Sequence, residues 1–193
     1  MANTDAPKGA VPIKHLDGSP WNGALNEYLI ASAYNTTIYT GDFVKMTATG
    51  KIELAAAGDT TNLGSFQGVN YRNSSGEVVF SKYWPASTVT FNSEDAKALV
   101  SDAPDVIYEM QMDSDGATPS QADIGTNADF VSTHTGSTLT GLSKMEVDTS
   151  TCTTATANLR ILRFVPKPDN AVGAYAKVEV LINEHFYKTT TGI

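Results

Sequence analysis

The chain has 193 residues, of which 41% are hydrophobic, 18% charged and 9% aromatic, a composition that buries a core and excludes a disordered or fibrous protein. Lys and Arg total 13 against 21 Asp and Glu, a net charge of -8, which argues against electrostatic capture of DNA or RNA. The 24 threonines and 15 glycines, with few charges, suit β structure.

Residues 1–24 hold Pro7, Pro12, Pro20, Gly9, Gly18 and Gly23 without periodic apolar order, which predicts an extended N-terminal arm instead of a helix or strand. Trp21 closes the arm. A large ring beside Pro and Gly pins such a segment onto its own domain or onto a neighbouring subunit. The first residues carry no signal-peptide core, and no apolar run approaches the ~18 residues that span a bilayer. Synthesis in a cytoplasm, with no membrane partner, is the expectation.

From Glu27 onward, short apolar runs alternate with turn signals every eight to twelve residues. Candidate strands are 28–31, 37–39, 43–48, 51–55, 65–71, 78–83 and 89–91, with Thr49-Gly50 and Ser75-Gly76 as hairpin turns. Leu99-Val100 and the run 106–112 flank a turn at Ala103-Pro104. The segment from Asp113 to Asp129 is acidic and small, an excursion with one short helix opening at Pro119 and an outward-facing loop. Strands resume at 142–147, 159–165 and 177–184, the last alternating most clearly. The pattern predicts an all-β domain over 25–193. Its architecture is a β-barrel or β-sandwich of short antiparallel strands, with at most one or two short helices and a subdivision near 100–130 left open.

Residues able to support catalysis are sparse. Cys152 lies among Ser and Thr with no base or cation nearby, and reads as inert. His15 and His134 fall in the arm and in a Thr/Gly loop, where exposure is expected, and His185 reads as a hydrogen-bonded residue at a strand end. Gly64-Ser-Phe-Gln-Gly68 is strand-like and not a phosphate cradle. Asp102, Asp105 and Glu109 could supply a glycosidase pair, but Asp102-Ala-Pro-Asp105 reads as ordinary turn chemistry. Asp113-Ser114-Asp115-Gly116 imitates the opening of a calcium loop, but Ala117 and Ile124 stand where further oxygen ligands belong. Asp113 and Asp115 are thus weak metal candidates in a chain expected to be no enzyme and to need no cofactor. Tyr83-Trp84-Pro85 places two rings at a strand end, either an aromatic platform or a core plug.

Taken in order, Gly41-Asp42-Phe43-Val44, the hairpin through Gly50, Gly64-Ser-Phe-Gln-Gly68, Tyr83-Trp84-Pro85-Ala86 and Pro104-Asp105-Val-Ile-Tyr108-Glu109-Met-Gln111 resemble the β-rich virion structural proteins of tailed phages, in particular the capsid decoration or cement proteins. The resemblance runs loosely from Tyr28 to Val165. It implies a capsid-exterior protein, a homotrimer or other homo-oligomer, whose partner is the major capsid protein and which bridges capsomers by many simultaneous contacts. Pro12, Ile13, Trp21, Tyr83 and Trp84 are the interface candidates, and the arm is expected to order on a neighbour. A head fibre or tail component, a carbohydrate-binding module using Tyr83 and Trp84, and a calcium-assisted hydrolase are the alternatives.

Overall fold

The computed structural model describes residues 3–190 and Gly192, so Met1 and Ala2 of the arm, with Thr191 and Ile193, lie outside the described residues. The described residues form fifteen strands: β1 Val11–His15, β2 Asn26–Ile30, β3 Ile38–Tyr39, β4 Phe43–Met46, β5 Ile52–Leu54, β6 Asn62–Arg72, β7 Val78–Ser81, β8 Tyr83–Trp84, β9 Ala96–Ser101, β10 Val106–Gln111, β11 Asn127–Ala128, β12 Phe130–Val131, β13 Glu146–Val147, β14 Leu159–Phe164 and β15 Lys177–Ile182. The remaining regular structure is four single 3₁₀ turns, so the protein is all-β.

All the strand ladders are antiparallel. One sheet has the order β1-β10-β15-β14-β11; a second has β2-β9-β6-β4-β5, with β7 also paired to β6. β9 covers one side of β6 over residues 65–70, so β4 and β7 lie one after the other along the opposite side. Two-stranded pairs β3-β8 and β12-β13 complete the set.

The two predicted hairpins form as expected. In β4-β5, Val44 faces Leu54 and Met46 faces Ile52, and the turn between them needs Gly50 at φ 72°. In β6-β7, Asn73 holds the turn with its side chain: its Oδ1 accepts from Ser75 N and Glu77 N, each at 3.0 Å.

Two hydrophobic cores result, and β4 is the wall between them. Its successive side chains point to opposite faces, so Phe43 enters a core with Tyr108, Phe130, Ile161 and Val180, while Val44 enters one with Phe66, Trp84, Ala98 and Val100. Phe43 packs edge-on to Tyr108 with ring centroids 5.4 Å apart and tilted to Phe130 at 5.3 Å.

Several local expectations are corrected. The arm contains a strand: β1 pairs with β10, Val11 opposite Glu109 and His15 opposite Val106, with a bulge between Pro12 and Lys14. Further back, Gln111 accepts from Ala6 N at 3.0 Å and donates to Thr4 O at 2.9 Å, and Ala10 is buried, its N–H bonded to Gly41 O at 2.7 Å. A side chain on Gly9 would meet that carbonyl at 2.4 Å. The described arm is therefore folded onto its own chain. Residues 89–91 are not a strand: Thr90 makes one bridge to Asn73 and Phe91–Ser93 is a 3₁₀ turn. The 142–147 strand shrinks to Glu146–Val147. The short helix is one 3₁₀ turn, Gln121–Asp123, with a capping box between Ser120 and Asp123. β11 and β12 were not legible in so small and polar a segment.

Candidate functional site

The interface candidates fall into two groups on different sheets. Pro12 is buried on the edge strand β1, where its missing N–H costs no ladder bond. Ile13 is half-buried, and its carbonyl accepts from Trp21 N at 3.2 Å. Trp21 packs half-buried against the first core of its own chain. Lys14 and Arg163 then clamp β1 onto the sheet through one carboxylate, Glu179, at 2.8 and 2.6 Å. Burial works to raise the Glu179 pKa, but the hydrogen bonds from Lys14 and Arg163 outweigh it and hold the carboxyl below its ordinary value.

Trp84 is a core plug. It is 0% exposed, packs edge-on to Tyr71 at 5.4 Å, and donates from Nε1 to Tyr34 O at 3.2 Å. This corrects its assignment as an interface residue and removes the platform a sugar would stack on. The half-buried ring beside it, Tyr83, lies on Tyr39 with centroids 5.7 Å apart.

Asp113 also faces inward. Its Oδ1 accepts from Thr149 N at 3.0 Å, Thr149 Oγ1 at 2.7 Å and Asp115 N at 3.1 Å. Through this one oxygen Asp113 locks a loop, and Asp115 is exposed. Among the described residues no three His, Cys, Asp or Glu side chains are grouped to hold a metal. The loop from Ser114 to Gln121 lies mostly at the surface, whereas Asn127 and Ala128 are buried.

Other buried titratable groups are tied into the fold. Asp102 accepts from Asn26 Nδ2 and from the Tyr28 hydroxyl, which also bonds Tyr187 at 2.7 Å. Burial, then the bond to Asp102, pushes the Tyr28 pKa far up, so it stays a donor. Asp42 borders a cleft of about 440 Å³ together with His134, but both its oxygens are taken, by Ser143 Oγ at 2.5 Å and Tyr39 N at 2.7 Å. His134 pairs at the surface with buried Glu146 at 3.0 Å. His185 is 1% exposed, and its Nδ1 accepts from Tyr187 N at 3.1 Å. Burial raises the Cys152 thiol pKa, which works against thiolate formation.

What the sequence reading missed is a surface. Leu29, Lys97, Asn70 and Phe80 are register partners across β2, β9, β6 and β7, so they share the outer face of the second sheet. Two positions along β6, Arg72 faces Val78 on the same side. Phe80 is 76% exposed, Val78 60% and Leu29 41%. The signal was the unbroken run Val78-Val79-Phe80, in which strict alternation fails and an apolar residue must stay outside. Comparison with known proteins finds no matching family model, no matching curated protein and no matching solved structure.

Proposed function

We propose that this chain is a capsid decoration protein of the tailed-phage type, binding the outer surface of the major capsid lattice and bridging neighbouring capsomers. The observation that carries the reading is the outer face of the second sheet, where Leu29, Val78 and Phe80 stand exposed among Lys97, Arg72 and Glu27. Apolar groups with polar neighbours are the composition of a protein-binding patch. The ordered sequence motifs from Gly41 to Gln111 support it as well.

The arm takes a different part from the one first expected. β1 is an integral edge of its own sheet, clamped by Glu179, which supports taking the β2-β9-β6-β7 face, more than a threading arm, as the capsid-binding surface in this reading. Many copies engaged at once multiply a modest contact into stable clamping. Two measurements test the reading. Quantitative mass spectrometry of purified particles is expected to find copies comparable in number to the major capsid protein; their absence overturns it. Added protein is expected to bind empty expanded capsids, with binding weakened by Leu29→Asp; unchanged binding removes this face from the interface.

A further inference from the structure

The β7 edge has an unfilled hydrogen-bonding pattern. Glu77 O accepts from Asn73 N at 2.9 Å. Hydrogen-bonded pairs alternate along an antiparallel ladder, so Tyr71–Val79 and Val69–Ser81 are the next such pairs. Glu77, Val79 and Ser81 thus turn their backbone groups toward β6, whereas Val78, Phe80 and Lys82 turn theirs away. The Lys82 carbonyl is taken by Thr40, through N at 3.1 Å and Oγ1 at 2.6 Å. Val78 and Phe80 meet no strand on that side among the described residues, which leaves two N–H and two C=O groups in a row.

The terminal strands of the two large sheets are protected. β1 carries Pro12 and a bulge, β5 is three residues long, β11 is two residues long and bridged to Thr153, and β2 carries Glu27. β7 reads Val-Val-Phe-Ser, with no proline, bulge or charge, the kind of edge that templates another strand.

We propose that β7 pairs antiparallel with β7 of a second copy of this chain, across a two-fold axis at Val79. Such an axis stands perpendicular to the sheet and keeps its faces, so the residue on the axis faces itself. Centred on Val79, Val78 lies opposite Phe80 of the second copy and Phe80 opposite its Val78, and all four free groups form hydrogen bonds. Centring on Phe80 would set Val78 against Lys82, whose carbonyl is occupied; centring on Val78 would set Phe80 against Gly76, in the turn. The edge is thus complementary to itself in one register. The row Leu29, Lys97, Asn70, Phe80 continues into the second copy, joining two outer faces into one. This pairing does not depend on the capsid reading and is tested without capsids.

Sedimentation equilibrium of the full chain is expected to show a concentration-dependent dimer, weakened about tenfold or more by Phe80→Glu. Combining Val78→Lys with Phe80→Glu restores it, because each introduced lysine faces an introduced glutamate. In a Cys152→Ser background, Val79→Cys is expected to give an interchain disulfide. A residue facing itself in a non-hydrogen-bonded pair has Cα atoms about 4.5 Å apart, inside the bridging range. Phe80→Cys, two positions out of register with itself, does not. A strictly monomeric wild type, an oligomer indifferent to Phe80→Glu in a variant of unchanged melting temperature, or better cross-linking at position 80 than at 79 overturns the proposal.

Discussion

Ser143 Oγ donates to Asp42 Oδ1 at 2.5 Å, joining residues 101 positions apart in the chain. Asp42 follows Gly41 at the start of β4, and Ser143 precedes Met145, whose sulfur lies 3.4 Å from Phe43 N. The contact therefore ties the wall between the cores to the loop entering β13.

Burial pushes the Asp42 pKa up to about 6 from 3.8, with the bonds from Ser143 and Tyr39 acting the other way. A carboxyl whose folded pKa is raised contributes stability that is complete below the unfolded value and lost as pH rises through the folded one. The window is pH 3.8 to about 6. Asp42→Asn keeps an acceptor for Tyr39 and has no proton to lose. Wild type is expected to fall relative to it by about 3 kcal/mol across that window, at about 1.36 kcal/mol per unit. Urea unfolding from pH 4 to 7 measures this, and a constant gap between the two proteins refutes it.

His185 works in the opposite direction. Burial, then Lys188, lowers its pKa to about 4 from 6.5, so the folded state binds its proton less readily than the unfolded chain. Its contribution is complete above pH 6.5 and is lost as pH falls toward 4. His185→Asn retains an acceptor for Tyr187 N without titrating. The acid limb of the stability profile is expected to flatten by about 3 kcal/mol; an unchanged limb shows that His185 carries none of it.

Glu179 is 3% exposed and holds two cations. Glu179→Gln leaves Lys14 and Arg163 without a charged partner, and the expected loss is about 2 kcal/mol, below the value for a fully buried triad because both cations are partly wet. The pair Lys97–Glu27, with both side chains more than half exposed, is expected to contribute under about 0.5 kcal/mol. Hydrogen exchange of the β1 amides reports the difference: they exchange faster in Glu179→Gln than in Glu27→Gln, and equal rates would contradict the clamp.

Close backbone approach sets the position of β6 against β9. A Cβ at Gly64 would stand 1.9 Å from Ser101 O, a backbone atom that cannot swing aside. Gly64→Ala is expected to cost about 3 kcal/mol by forcing the strands apart, and Trp84→Ala about 3–5 kcal/mol by emptying the second core. Chemical denaturation measures both. A Gly64→Ala protein as stable as wild type would mean that the two strands separate freely there.

Features encoded within a few residues were readable from the chain alone. The hairpin turns at Gly50 and Gly76 and the alternation of Val178, Val180 and Ile182 depend on local backbone chemistry and period-two patterning. The all-β class follows from them. Tertiary structure decided the rest, because the deciding partner lies far along the sequence. β1 has no local alternation and is a strand only because β10, some hundred positions later, offers an edge and Glu179 meets Lys14. Trp84 reads alike as plug or platform until Tyr34 and Tyr71 close over it. Asp113 resembles an ion ligand until Thr149 supplies its donors. Val78 and Phe80 become a candidate interface because β6 pairs with one side of β7 and nothing described pairs with the other. Burial and edge exposure are properties of pairs of segments, and sequence order alone does not say which segments meet.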